Sequence, residues 1–256
     1  MTPSKDKIVS LQQLKVACQQ CSLREICLPV GVNQDEIEQL DEIIGRKKPL
    51  NKGDYLYHIG DKFNSIYAVR SGSLKSFCTT ESGEEQITGF HLPGELVGLD
   101  AIADNAHPVT ARALETTSVC EIPFDKLNDL SGKLIGLRKQ ILRVMSREIK
   151  EDHHNMLLLG QKTAEERLAA MLMSISGRQK IRGFSPNEFF LTMSRGDIGN
   201  FLGLALETVS RLFGRFQEEK LIQVNRKYIT IIDMEKLTKL AGSHCSRPHD
   251  SGVAKG

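Results

Sequence analysis

A long apolar run is missing from this sequence of 256 residues: no stretch approaches the ~20 apolar residues that a membrane span requires. The first residues, MTPSKDKIVSLQQLKVACQQC, also lack the roughly 7–15 apolar residues of a signal peptide. These absences predict a cytoplasmic protein with no membrane partner. Thiols stay reduced in the cytoplasm, so the six cysteines favour metal binding or redox chemistry over disulfides.

The usual signatures of an enzyme are absent as well. The sequence has no glycine-rich nucleotide loop, no C-x-x-C beside a βαβ unit and no catalytic constellation. His153 and His154 are adjacent on a predicted helix face, where a surface position is more common than a metal-ligating one. We therefore predict a protein that is not an enzyme, with an iron–sulfur or thiol oxidoreductase as the alternative.

Net charge is also small, at +2, but it is unevenly distributed. From Gln161 onward there are 15 Lys and Arg against 10 Asp and Glu, which gives +5; the preceding part has 19 against 22, which gives −3. A basic C-terminal third suggests contact with nucleic acid. An ordinary solvated surface is the alternative that charge alone leaves open.

The chain divides into segments of different periodicity, without internal repeats. Short β-branched and aromatic runs broken by turn residues fill positions 46–125, as in a small antiparallel barrel or sandwich. A long helical pattern and further helices follow, so the predicted fold class is α+β. The predicted segments are a cysteine-bearing arm (1–31), a β domain (32–132), a long helix (133–160), a second domain (161–241) and a disordered tail (242–256).

The long helix has five apolar residues and one aspartate at the spacing of a coiled coil, with intervals of 3, 4, 3, 4 and 3 residues. We define the seam as Leu142, Met145, Ile149, Asp152, Met156 and Leu159. A dimer interface is the favoured interpretation. The alternative is that the seam packs on its own domain, with Asp152 at its edge.

The second domain contains the pattern of a helix-turn-helix. Ser194 can cap a first helix with Asp197 three residues on, and Gly203 tolerates the left-handed turn that follows. In such a motif the second helix lies in the DNA major groove. An ordinary helical hairpin with a solvated polar face is the alternative.

Three polar residues at the start of the second helix share one face. Glu207, Ser210 and Arg211 stand at i, i+3 and i+4, and all three side-chain types can read base edges. DNA backbone contacts are predicted for Thr208, Arg215 and Lys227.

Several longer stretches carry a family resemblance: EEQITGFHLPGELVGL, ALETTSVCEIPF, MSREIK, LTMSRGDIGNFLGLALETVSRLFGRFQ and KYIT. Over residues 14–242 the chain resembles the cyclic-AMP receptor superfamily of bacterial transcription regulators, and most closely its fumarate and nitrate reduction (FNR) regulators. The resemblance implies an N-terminal β-roll, a long dimerisation helix and a C-terminal winged helix-turn-helix. It also implies base reading by ETVSR at an inverted repeat of the type TTGAT-N4-ATCAA.

RNA polymerase is a further partner that the resemblance implies. Regulators of this family touch the polymerase through loops of the β-roll and of the DNA-binding domain. The counterparts expected in this chain are Ser71, Ser73, Thr80, Gly83 and Glu85.

The resemblance does not extend to the cyclic-nucleotide pocket. PGELVGL, which contains Glu95, resembles the segment that holds the ribose, but the Arg-Ser or Arg-Thr pair for the phosphate is replaced by His107-Pro108. The chain therefore lacks the arginine that would bind the phosphate of a cyclic nucleotide through two hydrogen bonds. We expect no cyclic nucleotide and a structural role for Glu95.

Cys18, Cys21 and Cys27 stand in the arm at the spacing C-x2-C-x5-C, and a four-thiolate site needs one more ligand from Cys78, Cys120 or Cys245. The pattern alone does not separate Cys78 from Cys120. The resemblance implies Cys120 and a [4Fe–4S] cluster, one per subunit. A structural zinc ion and free thiols are the alternatives.

Asp152 and the cysteine arm support a hypothesis for the mechanism, in which oxygen acts on the cluster as the resemblance implies. The cluster-loaded chain would be a homodimer that binds DNA. Oxygen would convert the cluster to [2Fe–2S] and beyond. The dimer would then dissociate, and the monomers would release the DNA. Two copies of Asp152 facing each other ~4 Å apart would cost about 4 kcal/mol at an effective dielectric of ~20. This repulsion would hold the protein near a monomer–dimer balance.

Overall fold

The computed structural model describes residues 18–30, 32–80 and 83–242. Most of the predicted tail, including Cys245, lies outside the described residues, as do residues 1–17 of the arm. The α+β architecture is confirmed: two β-sheets and their flanking helices are followed by a long helix and a smaller domain with a helix-turn-helix. No helix within the described ranges is both long and apolar enough to cross a membrane.

The described part of the arm begins with a 3-10 turn, Cys18–Gln20, and leads into helix α1, Gln34–Ile43. Asn33 caps this helix in a capping box with Glu36, because each side chain accepts a hydrogen bond from the other residue's backbone N–H. Leu28 is 1% exposed and shares an apolar cluster with Ile37 and Leu40. Burial of Leu28 fixes the cysteine arm to the body of the protein.

The β-roll consists of two four-stranded antiparallel sheets that enclose its apolar core. One sheet has the order β1-β8-β3-β6 and the other β2-β7-β4-β5, so β5 is an edge strand. The strands are β1 (Gly45–Arg46), β2 (Tyr55–Tyr57), β3 (Ser65–Ser71), β4 (Leu74–Thr79), β5 (Glu85–His91), β6 (Leu96–Val97), β7 (Thr110–Ala113) and β8 (Ser118–Pro123).

Two helices connect the roll to the second domain. Helix α2, Phe124–Lys133, was not predicted; it ends at Leu134, whose backbone is extended with φ −105° and ψ 100°. The long helix α3 therefore runs Ile135–Gln161, starting two residues later than the predicted Lys133. Leu134 and Leu137 are buried with the arm's Leu28, which explains why the chain turns between α2 and α3.

The second domain is a winged helix. Its elements are α4 (Ala164–Ile181), β9 (Glu188–Phe190), α5 (Arg195–Leu202), α6 (Leu206–Glu218), β10 (Ile222–Asn225), β11 (Tyr228–Ile231) and α7 (Met234–Ala241). The predicted capping box at Ser194 is confirmed, and Thr163 forms another with Glu166 at the start of α4. Gly203 ends α5 in the left-handed region with φ 64°, as predicted. Strand β9 and helix α7 were not predicted.

Candidate functional site

Helix α6 presents a polar face to solvent and an apolar face to its own domain. Glu207, Ser210 and Arg211 are all exposed, which places the three predicted base-reading residues on one accessible surface. The opposite face is buried through Val209, Leu212, Phe213 and Phe216. The exposed face is thus free for a partner without cost to the domain's core.

The turn between α5 and α6 depends on close packing that sequence reasoning did not identify. A Cβ atom on Gly199 would lie 2.5 Å from the carbonyl oxygen of Leu204, so only glycine fits there. The Arg195 guanidinium stacks on the Phe213 ring, 3.1 Å from its centroid. These contacts pack α5 closely against α6.

The predicted backbone-contacting residues are differently placed. Thr208 is half-buried on α6. Arg215 forms ion pairs with Glu165 and Glu219, and Lys227 Nζ donates to the carbonyl of Thr192 at 2.7 Å. A phosphate contact by Arg215 or Lys227 would therefore exchange an intramolecular partner for DNA.

Four cysteines line a single cavity between the arm and the β-roll. Cys18, Cys21 and Cys27 enter it from the arm and Cys120 from β8. Apolar side chains and two arginines, Arg24 and Arg70, complete the lining. Cys78 lies instead on β4, packed against a separate apolar cluster of the roll. The tertiary structure thus separates Cys120 from Cys78, which the spacing of the residues did not.

The donor set of this cavity suits a four-iron cluster, which takes four thiolates on different irons. Within residues 18–30, 32–80 and 83–242, no three Cys, His, Asp or Glu side chains converge on the position of a single metal ion. Zinc requires four ligands on one ion. Zinc also accepts four thiolates, so the donor set of this cavity by itself fits either group.

Burial disfavours ionisation of these thiols in the absence of a metal. Burial raises the pKa of Cys18 to about 12, with Asp41 adding to the effect, and burial likewise raises the pKa of Cys27 to about 12. Burial also raises the pKa of Cys120, although Arg70 and Arg46 oppose this. A bound cationic group would supply the charge that these thiolates need.

The arm contacts both the first helix and the long helix. The backbone N–H of Cys18 donates to Asp41 Oδ1 at 3.0 Å. Gln140 of α3 is 3% exposed and its Nε2 donates to the carbonyl of Cys27 at 3.5 Å. Sequence reasoning missed Asp41 and Gln140, because neither belongs to a motif. A change at the cysteines thus has a direct structural route to α3.

The seam of α3 is largely uncovered in the single chain. Leu142, Ile149 and Met156 are 61%, 56% and 63% exposed, and Leu159 is 39% exposed. Met145 is half-buried and Asp152 is exposed. Large apolar side chains at heptad spacing on an exposed face are typical of a helix that packs against another helix.

Glu95 and His107, which the sequence comparison assigned to the counterpart of the cyclic-nucleotide pocket, both contact other side chains of this chain. Glu95 is held by Arg178 and Arg182 from helix α4. His107 is 3% exposed and stacks on Tyr57, with ring centroids 3.6 Å apart. These contacts agree with a structural role for Glu95.

The predicted polymerase-contacting residues fall into two groups. Ser71, Thr80 and Gly83 are exposed. Ser73 is fully buried, with its hydroxyl 2.8 Å from Thr192 Oγ1 of the second domain, and this position contradicts the prediction of an accessible contact. Glu85 is half-buried and paired with Lys75 and Arg112, so its carboxylate is already engaged.

Comparison with known proteins identifies relatives of the whole chain. Residues 47–133 match the family model of the cyclic nucleotide-binding domain, and residues 191–222 match that of bacterial regulatory proteins of the crp family. The fumarate and nitrate reduction regulatory protein of Yersinia pestis is 56% identical over 245 residues, covering 95% of this chain and 98% of the relative.

Two further comparisons, one of sequence and one of structure, give proteins similar to this chain. The anaerobic regulatory protein of Haemophilus influenzae is 57% identical over 229 residues, covering 90% of this chain and 89% of the relative. The structure of FixK2 from Bradyrhizobium japonicum superposes with a TM-score of 0.72 at 28% identity, covering 78% of this chain and 99% of that one. These similarities confirm the prediction that the protein is a transcription regulator and not an enzyme. The chain belongs to the family of fumarate and nitrate reduction regulatory proteins, within the crp family of bacterial regulatory proteins.

Proposed function

We propose that this chain is an oxygen-responsive transcription regulator of the cytoplasm that holds one [4Fe–4S] cluster per subunit. The single observation that carries the proposal is the cavity lined by Cys18, Cys21, Cys27 and Cys120, which joins four thiols from two distant segments. When bound, the cluster would supply an oxygen-reactive centre that links the arm to the β-roll. The names of the relatives, which refer to fumarate and nitrate reduction or to anaerobic regulation, support this function.

The dimer seam would respond to the cysteine arm through the start of α3. Gln140 is two residues from the seam position Leu142 and bonds the carbonyl of Cys27. Attachment of the arm to Cys120 would hold α3 in the position that brings two seams together against the repulsion of paired Asp152 carboxylates. Exposure to oxygen would end this attachment, the subunits would separate and DNA would be released. The arm must therefore be attached more favourably in the dimer than in the monomer.

The dimer would bind a palindrome of the type TTGAT-N4-ATCAA with one α6 helix in each half-site. Glu207, Ser210 and Arg211 are proposed to read bases, while Thr208, Arg215 and Lys227 hold phosphates. The exposed positions of Glu207, Ser210 and Arg211 at the start of α6 support their role in base reading. RNA polymerase would be contacted near Ser71, Thr80 and Gly83, and no cyclic nucleotide would be required.

Anaerobic purification tests the cluster directly. We expect about four irons and four sulfides per chain, a brown colour that bleaches in air, and a parallel change from dimer to monomer in sedimentation. Cys120→Ser should lose the iron, whereas the matched variant Cys78→Ser should retain it. A colourless protein with one zinc per chain and no response to air would contradict the proposal.

DNA binding is tested separately with the iron-loaded protein. We expect specific binding to the palindromic duplex that weakens as salt concentration rises, because phosphate contacts release counterions. Equal affinity for the palindrome and for a scrambled duplex would contradict base reading by α6.

A further inference from the structure

The β-roll and the DNA-binding domain are joined by a compact ionic contact centred on Glu95. This residue follows the edge strand β5, and its own loop anchors the carboxylate, since the backbone N–H of Leu92 donates to Glu95 Oε2 at 2.8 Å. Two arginines from α4 then reach across from the other domain. The arrangement brings the Glu95 carboxylate together with two guanidinium groups, and the side chain of Arg182 is 3% exposed.

Arg178 and Arg182 bind both the carboxylate and the backbone of the loop. Arg178 Nε donates to Glu95 Oε1 at 2.7 Å, while its Nη2 bonds the other carboxylate oxygen and the carbonyl of Phe90. Arg182 Nη2 donates to Glu95 Oε1 and its Nε to the carbonyl of Pro93, each at 2.6 Å. We call Glu95, Arg178 and Arg182 the clamp. Bidentate contacts of an arginine with a carboxylate fix the relative orientation of the two groups as well as the distance between them.

A second contact, on the helix-turn-helix itself, continues the clamp along β4 and β5. Asn200 of α5 accepts from the backbone N–H of Ile87 at 2.6 Å and donates to the carbonyl of Glu85 at 2.5 Å. Lys75, whose side chain is 6% exposed, bonds Asp197 at 2.8 Å. Because α5 packs closely against α6, an element that holds α5 in place also constrains the direction of α6.

We propose that the clamp orients the DNA-binding domain on the β-roll. The two α6 helices of a dimer would then already point toward their half-sites before DNA binds. Glu95, Arg178 and Arg182 are positioning residues that act through helix α4 and do not touch DNA. The inference rests on the proposed reading of DNA by α6. Without the clamp, the domain would have to be ordered during binding, and this ordering would lower affinity.

The test uses two variants that break the clamp from opposite sides, Arg178→Ala and Glu95→Gln, in the full-length iron-loaded protein. Lys180→Ala is the matched control, because Lys180 carries the same charge and is exposed on the same helix. We expect both clamp variants to bind the palindrome about tenfold more weakly, with unchanged iron content, dimerisation and salt dependence. A purely electrostatic role predicts effects of opposite sign, since one variant removes a positive charge and the other a negative one.

Hydrogen exchange gives a second readout that does not involve DNA. The amide of Ile87 is protected by Asn200 across the interface, so exchange in peptides covering β5 should become faster in both variants. Amides bonded within one domain are the internal controls: Leu50, which donates to Thr117, and Leu204, which donates to Gly199, should not change. Their protection also shows that each domain has folded.

Three results would overturn the inference: unchanged exchange in β5, affinities that follow the sign of the charge change, or faster exchange with unaltered affinity. The inference and the proposed function fail in different ways. If the parent protein binds no palindrome, base reading by α6 is wrong and the orienting role falls with it, whereas exchange in β5 still decides whether the clamp holds the two domains together.

Discussion

Helices α3 and α6 are both amphipathic, yet they expose opposite faces. Helix α6 buries all its large apolar side chains except that of Leu206, with Phe213 at 1% exposure, and presents polar groups. Helix α3 leaves Leu142, Ile149 and Met156 more than half exposed. This difference shows that the apolar face of α6 is packed within one chain, which leaves a polar face for a partner such as DNA. The apolar face of α3 is exposed in one chain and would be buried only by a second apolar surface.

The largest expected effect comes from a charge placed in the seam. Ile149→Glu should abolish dimerisation of the iron-loaded protein, because a carboxylate would be buried against its own copy. DNA affinity should fall about 100-fold or more, since two linked half-sites bind far more tightly than one. Sedimentation and fluorescence anisotropy with the palindrome measure the two effects. Lys150→Glu, one residue outside the seam, is the control; an equal loss in both variants would contradict a specific seam.

The comparison of the two helices can be sharpened by measuring folding stability. Phe213→Ala in α6 should lower the free energy of unfolding by about 3–5 kcal/mol, because it leaves a cavity in a packed core. Leu142→Ala in α3 should change it by less than about 0.5 kcal/mol in the monomeric, air-exposed protein, because that side chain already contacts water. Urea denaturation of both variants provides the measurement. Similar losses would mean that α3 packs within its own chain.

Base reading by α6 gives an effect of intermediate size. Arg211→Ala should weaken binding to the palindrome by about 1–3 kcal/mol and relax discrimination at one base pair of each half-site. Titrations with duplexes substituted symmetrically at each position locate that base pair. Glu218→Ala, exposed at the other end of α6, should bind like the parent. A uniform loss over all duplexes would instead indicate a phosphate contact.

The smallest effect concerns a carboxyl group on α3. Burial, with the nearby charges of Glu151, Glu95 and Asp152, raises the pKa of Glu148 to about 7 despite the opposing charge of Arg178. The folded chain therefore binds more protons than the unfolded chain above the ordinary carboxyl range, and this contribution to stability is lost as pH rises through about 7.

Glu148→Gln should remove this pH dependence and raise the free energy of unfolding near pH 8 by an amount on the order of 1 kcal/mol. Urea unfolding at about pH 5.5 and about pH 8 provides the measurement, with Glu218→Gln as the control. If the parent were more stable at the higher pH, the assigned direction of the shift would be wrong.

Local signals in the sequence predicted the helix-turn-helix well, because its determinants are close together in the chain. The capping boxes at Ser194 and Thr163 and the left-handed Gly203 depend only on neighbouring residues. Helix α2 was missed because its end at Leu134 depends on burial with the arm's Leu28. The error at Ser73 has the same origin, since a turn residue that looks exposed is covered by a distant domain.

The sequence by itself determined the fold class, the two amphipathic helices and the three cysteines of the arm, since each follows from periodicity, capping or spacing over a few residues. Only the tertiary structure decided which distant groups meet. It placed Cys120 rather than Cys78 at the cavity of the arm, Gln140 against Cys27, and Glu95 between Arg178 and Arg182. These contacts join residues more than 80 positions apart, and no local pattern specifies which of many possible partners a chain will bring together on folding.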